Sequence, residues 1–342
     1  MPADETPVVL RLNARTNPVW QQERELLEAV AARIVEIEGE SDEEILRCAR
    51  ECDALMVVGA YVRAAVIEAM TRCKIISRMG TGTDKIDIPA ATARGILVTN
   101  IPDFCTEEVA DHTMALLLSA ARRLDDFQRL ARAGRPGTSA KFVLHRLSMC
   151  TLGIVGLGRI GKAFARRARA FGMKILVTDP YITDEEVQAE GATRRSLDEL
   201  LPQVDFLCLL CPLTPETRGM LSMREMRRMK RGAVLINTSR GGLTDEDDLA
   251  QVLNEGTLGY AGLDVYGCVN VFSPDGFPTD HPLFQCENVT MTPHVAAFSA
   301  EAMEDHRLRG TQPVVDVLSG RWPKNVVNRD VKPWFPIDVE SA

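Results

Sequence analysis

Three stretches of the chain carry residue types that could do chemistry together. Asn237-Thr238-Ser239-Arg240-Gly241-Gly242 ends an apolar run with a guanidinium followed by two glycines. A guanidinium there can grip a carboxylate through parallel N–H bonds and polarise an adjacent carbonyl. Thr292-Pro293-His294 ends another apolar run with an imidazole. An unperturbed pKa near ~6.5 suits that group to give or take the proton of an alcohol. The other four of the five histidines have weaker cases: His112 and His306 fall within helical patterns, His145 and His281 in loops. The third stretch, Gly156-Leu157-Gly158-Arg159-Ile160-Gly161, follows the apolar run 152–155 and opens a helical pattern at 162–171.

Each glycine of that turn has a physical task. Gly156 allows a tight bend, Gly158 lets the backbone approach a pyrophosphate, and Gly161 lets the helix pack close to the sheet. The helix start offers free N–H groups and a positive dipole end to the phosphates. Asp179 closes the next apolar run, 173–178, and lies 18 residues past Gly161, near the ~20 expected of a ribose-binding carboxylate. It would repel a 2′-phosphate, so NAD is favoured over NADP. A plain strand-to-helix turn is the alternative, and the flanking strand, helix and carboxylate argue against it. A second glycine-rich turn, Arg78-Met79-Gly80-Thr81-Gly82-Thr83-Asp84, also follows an apolar run. Its amides could cradle a carboxylate. Arg78 could hold a second anionic group, or simply pair with Asp84 or Asp87.

The elements that must position these residues alternate. Runs 8–12, 34–37, 54–58, 74–77 and 96–99 read as strands, with helices at 21–32, 42–48, 63–70 and 88–94 between them. That order implies a parallel sheet covered on both faces. Residues 107–132 read as one long amphipathic helix with Thr106 as its N-cap. Further strands fall at 204–210, 233–237, 259–263 and 289–291. A last helix at 300–319 returns to the first domain, and the tail after Asn325 reads as extended along the surface. The fold class is therefore α/β, two doubly wound parallel-sheet domains, with ligands expected in the cleft beyond the strand ends.

Composition excludes several classes. The 342 residues carry a net charge of −8, which argues against nucleic-acid or acidic-membrane partners. Residues 1–6 are polar and acidic, unlike a signal peptide, and no apolar stretch nears the ~20 residues of a membrane span. A cytoplasmic location is expected. Nine cysteines show no regular spacing. The Cys208/Cys211 pair lacks a complementary pair, so buried free thiols are expected and no metal.

The motifs resemble the D-isomer-specific 2-hydroxyacid dehydrogenase family, which includes phosphoglycerate dehydrogenases, glyoxylate reductases and C-terminal-binding-protein corepressors. The resemblance covers roughly 54–328. It rests on Gly80-Thr81-Gly82-Thr83-Asp84, Val109-Ala110-Asp111-His112, the glycine turn, Pro212-Leu213-Thr214, residues 237–241, Gly262-Leu263-Asp264-Val265 and Thr292-Pro293-His294. It implies a flavodoxin-like substrate domain (1–104 with 305–342) and a Rossmann NAD-binding domain (105–304). Arg240 matches the residue that binds the substrate carboxylate and carbonyl, His294 the proton donor and acceptor, and Thr81 and Gly82 the backbone carboxylate site. Asp264 matches the residue that holds the nicotinamide carboxamide, and Thr106 one near the nicotinamide-side phosphate. Arg159 and Ile160 match the phosphate contacts. Pro212 and Thr214 match the loop beside the adenosine, and Thr238 is counted with the cofactor residues. The implied reaction is hydride transfer between NAD and a small 2-hydroxy or 2-keto acid, in a homodimer joined through the cofactor domain.

One departure stands out. The family's Asp-Val-x-x-x-Glu-Pro motif reads Asp264-Val265-Tyr266-Gly267-Cys268-Val269-Asn270, so valine replaces the catalytic glutamate. That carboxylate would orient the imidazole and stabilise its protonated form. Three readings follow. Asp275 or Asp280 swings in as a substitute; His294 works unassisted; or the chain binds NAD(H) without turnover, as a corepressor-like sensor or scaffold. Oxidation of another small anion, such as a phosphonate, is also open.

Overall fold

The computed structural model describes residues 6–139 and 142–339. They form two compact units. One takes the chain up to Phe104, the short stretch Phe272–Gly276, and the chain from Ser299. The other holds Cys105–Val271 and Phe277–Phe298.

The first unit is built on five parallel strands, β1 Val8–Arg11, β2 Arg33–Glu36, β3 Ala54–Val57, β4 Ile75–Arg78 and β5 Leu97–Thr99. Their order is β2-β1-β3-β4-β5, the flavodoxin-like arrangement whose direction reverses between β1 and β3. Alternation along each strand sends Leu10, Leu55, Val57, Ile76 and Val98 into one core layer and Val9, Met56, Ile75 and Leu97 into the other. Val314, Val315 and Val317 of the last helix, Ala300–Leu318, close the second layer. The first helix is shorter than its pattern, Gln21–Glu28, because the chain turns with Ala31 at φ +51°.

The tail is not a surface strip. Asn328 is buried, accepts from Val98 N at 2.9 Å, and donates to Ile96 O at 2.9 Å and Thr92 Oγ1 at 3.1 Å. Its side chain thus saturates the open edge of β5, while Val331 and Phe335 enter the core. An isolated polar residue in a Pro-rich tail gives no local sign of this.

His306, on the last helix, is 8% exposed and its Nε2 lies 3.2 Å from Met79 O. Burial, aided by the charges of Arg11 and Arg78, pushes its pKa down to about 4. An unfolded histidine takes its proton near ~6.5, whereas the folded one refuses it until about 4. Stability from this group is therefore complete above that unfolded value and is lost as pH falls through the window. The loss reaches roughly 3 kcal/mol at its acid end. His306→Gln, which keeps a donor for Met79, should flatten this part of the acid dependence in urea melts between pH 7 and 5.

The second unit has seven parallel strands. They are β6 Thr151–Val155, β7 Lys174–Thr178, β8 Thr193–Arg194, β9 Phe206–Leu209, β10 Ala233–Asn237, β11 Leu258–Leu263 and β12 Val289–Met291. Their order, β12-β11-β10-β9-β6-β7-β8, is the doubly wound dinucleotide fold with one added strand and a switch point between β6 and β9. The edge strand β8 was not foreseen; two residues are too short for a periodic signal. The long helix breaks into Thr106–Arg122 and Leu124–Arg132 at Arg123, which has φ +51°. The guanidinium of Arg123 stacks 4.7 Å from the Tyr260 ring and 4.6 Å from the Phe142 ring, and donates to Gly259 O. These distant partners, not a local breaker, bend the helix. Its N-cap is Cys105, and Thr106 is its first helical residue.

Candidate active site

Strand register brings the chemistry to one edge of the second unit. Asn237 pairs with Leu263, and Leu263 with Met291, so β10, β11 and β12 end in line, neighbours ~4.8 Å apart. Arg240 lies three residues beyond β10, Asp264 one beyond β11, and His294 three beyond β12. The glycine turn and Asp179 follow β6 and β7 on the same carboxyl edge.

The turn fits a pyrophosphate. Gly156 has φ +94°, and a Cβ there would stand 2.7 Å from Cys211 N. A Cβ on Gly161 would strike Gly156 O, so this glycine closes the turn on itself as well as seating the helix. A Cβ on Gly158 would meet nothing within 4 Å; beside it the space is open. The helix Arg159–Ala170 starts there with no side-chain cap, leaving its first N–H groups without intrahelical acceptors. Arg159 and Ile160 occupy this start. Asp179 accepts from Leu157 N at 2.8 Å and Tyr181 N at 2.9 Å, which fixes the carboxylate at the end of β7 with lone pairs to spare for hydroxyl donors. Pro212 and Thr214 lie in a turn after β9 closed by Thr217, whose hydroxyl donates to Pro212 O at 2.7 Å and accepts from Thr214 N at 2.8 Å.

The family follows from both the fold and the comparisons. The profile described as D-isomer specific 2-hydroxyacid dehydrogenase, NAD binding domain, matches residues 114–296. A glyoxylate reductase of Korarchaeum cryptofilum is 39% identical over 85% of this chain and 87% of its own length. The chain belongs to the D-isomer-specific 2-hydroxyacid dehydrogenase family. A D-3-phosphoglycerate dehydrogenase of Methanocaldococcus jannaschii is 37% identical over 92% of this chain, which spans only 58% of that relative. The Aquifex aeolicus D-lactate dehydrogenase, solved with NAD and lactic acid, is 29% identical, with a TM-score of 0.80 over 91% of this chain and 96% of its own. The dehydrogenase is thus an NAD-dependent oxidoreductase of the 2-hydroxy acid and 2-keto acid class. Among its described residues no helix is long and apolar enough to cross a membrane, and no cluster is suited to hold a metal. Burial pushes the thiols of Cys208 and Cys211 up, the latter to about 11.

His294 sits in a strained loop held from below by Asp264. Its φ is +58°, sparsely populated for a side chain of that size. Its N–H donates to Asp264 O at 2.8 Å and Thr292 O at 3.0 Å. The Asp264 carboxylate, fully buried, accepts from Thr292 Oγ1 at 2.6 Å, Val295 N at 2.9 Å and Ala296 N at 3.0 Å. Because the Thr292 hydroxyl donates to Asp264, it must accept from His112 Nε2 at 2.9 Å. Burial pushes the Asp264 carboxyl up, against these donors and nearby His112. In this structure, then, Asp264 braces the His294 loop. His112, set aside as a helical residue, is part of the brace.

The Arg240 turn is held as closely. Asn237 Nδ2 donates to Arg240 O at 2.9 Å, and Arg240 Nη1 to Ser239 O at 2.7 Å. A Cβ on Gly241 would strike the backbone of Tyr266 and Gly267, so this glycine lets the turns after β10 and β11 touch. Glu246 secures the second turn by accepting from Gly267 N at 2.6 Å and Cys268 N at 2.8 Å. Thr238 is buried, and its hydroxyl lies 2.7 Å from Thr113 Oγ1. Thr113 donates to Val109 O, so Thr238 donates to Thr113 and can meet a cofactor only through its backbone or remaining lone pair.

Of the two aspartates near the missing glutamate's segment, Asp275 is engaged elsewhere. Asp275 is exposed and pairs bidentately with Arg15 in the first unit, at 2.6 and 3.1 Å. Asp280 is exposed and makes no hydrogen bond or ion pair among the described residues.

In the first unit, Arg78 turns into its own loop. Nε donates to Gly82 O at 2.7 Å and Nη1 to Met79 O at 2.5 Å. It therefore shapes the loop instead of pairing with Asp87. The Thr81 hydroxyl donates to Ile101 O at 3.0 Å, and Thr81 O accepts from Asn100 at 2.7 Å. The Thr81 and Gly82 amides meet no acceptor among the described residues. Paired amides of this kind can cradle an anion.

Proposed function

We propose that this dehydrogenase reduces a small, singly charged 2-keto acid with NADH, and reverses that reaction, with Arg240 and His294 as its catalytic pair. The alignment of β10, β11 and β12 carries the reading, since a guanidinium and an imidazole follow strands that end in line, on the same carboxyl edge of the sheet as the glycine turn after β6. Bound NADH would supply the hydride. Arg240 grips the carboxylate and polarises the carbonyl. His294 gives its proton to the oxygen during reduction and takes it back during oxidation. The Thr81 and Gly82 amides hold the carboxylate, and Asp179 selects NAD over NADP. Exposed apolar side chains of the second unit, Leu124, Val143 and Met149, support a homodimer formed through that unit.

NADH oxidation by a panel of 2-keto acids tests the reading, with NADPH as comparator. Tight NADH binding with no turnover across the panel would instead favour the sensor alternative, which Val269 keeps open. Val269→Glu should extend keto-acid reduction to higher pH, because a nearby carboxylate stabilises the protonated imidazole. An unchanged pH–rate profile would show that position 269 does not face His294.

A further inference from the structure

Arg78 leaves the substrate unit's anion nest with its guanidinium directed into the loop, so what surrounds the nest decides which keto acid it takes. Gly59 lies two residues past β3, and Met79 N donates to Val57 O at 2.8 Å. The segment after β3 therefore runs beside the nest. Phe272 sits on it: a Cβ on residue 59 would stand 3.0 Å from the Phe272 ring. Bare backbone at 59 is what lets the ring lie that close.

The same corner captures the nearest cation. Lys85 Nζ donates to Gly59 O at 2.7 Å and stands 4.9 Å from the Tyr61 ring centre and 5.3 Å from that of Phe272. A carbonyl and two aromatic faces hold this ammonium. Phe272 begins the stretch Phe272–Gly276, which packs within the first unit although the chain on either side belongs to the second. The bidentate Arg15–Asp275 pair fastens its far end. That pair is exposed and screened, so the ring on Gly59 is the principal anchor.

We infer that Phe272–Gly276 is a strap beside the first unit's paired Thr81 and Gly82 amides, with Phe272 limiting the substrate to two- or three-carbon keto acids lacking a second anionic group. This names the substrate class of the site proposed above and rests on that reading for its chemistry, though not for its geometry. The bulk comes from an apolar ring, and the two nearby cations are engaged by carbonyls and aromatic faces.

Equilibrium binding keeps the two claims separate. Oxamate and its N-methyl and N-propyl derivatives present one carboxylate with a growing tail and cannot be reduced. Calorimetric titration into the NADH-loaded protein should show affinity falling about tenfold or more from oxamate to the N-propyl compound. Phe272→Ala should abolish most of that difference, and Phe272→Leu should give an intermediate ranking while retaining an apolar anchor. An unchanged ranking in both variants, or no oxamate binding by the unsubstituted protein, overturns the inference. Size-dependent binding without turnover of glyoxylate or pyruvate would support the strap and refute the proposed function.

Discussion

His294→Ala lowers keto-acid reduction by about a hundred- to ten-thousand-fold, the range for loss of a positioned general acid, while the Kd for NADH stays within about twofold. The expectation of selectivity comes from the architecture. The glycine turn follows β6 and Asp179 follows β7, whereas His294 follows β12 at the far edge of the sheet. Alanine keeps the Cβ that a φ of +58° disfavours, so the substitution relieves no backbone strain and stability should change little. Fluorescence titration with NADH, stopped-flow reduction and a urea melt check the three parts. Full activity in the variant would mean that another group gives the proton.

Asp264→Ala produces the largest loss of stability, roughly 3 kcal/mol or more. The substitution leaves the Thr292 hydroxyl and the Val295 and Ala296 amides without the buried carboxylate that accepts from them. Turnover falls as well, because the loop carrying His294 loses its brace. Asp264→Asn separates the two effects, since its carbonyl oxygen can still accept from part of the set. It should recover much of the stability but less of kcat, with the Kd for NADH little changed. A large rise in that Kd would show that Asp264 also makes the cofactor contact the resemblance implies. Burial raises the Asp264 carboxyl, so the folded state holds its proton to higher pH than the unfolded state does. Stability from this group therefore falls as pH rises through the window just above the ordinary carboxylate range, and Asp264→Asn should remove that slope.

What the sequence disclosed and what it hid divide along chain separation. The glycine turn, the alternating strands and helices, and the emergence of Arg240 and His294 at strand ends are written in windows of a few residues, where periodicity and turn chemistry act. The brace under His294 joins His112 to Thr292 across 180 residues and Thr292 to Asp264 across 28. No local pattern marks such a contact. Arg123 shows the same limit: its surroundings read as helix, and two aromatic rings from elsewhere bend it. Arg78 was legible as a charge near an anion loop, but its direction depended on carbonyls that only the folded loop supplies. The loss of the glutamate at Val269 was plain in the sequence, whereas the placement of the segment after it required coordinates.

The first unit needs the end of the chain. Its second core layer is completed by Val314, Val315 and Val317, and the edge of its sheet by Asn328. During synthesis from the N-terminus, its five strands leave the ribosome long before those partners exist. The second unit, almost continuous in sequence, has all its strands translated first. Val9, Met56, Ile75 and Leu97 therefore wait as an uncovered greasy surface for most of translation, a client for chaperones until the last helix arrives.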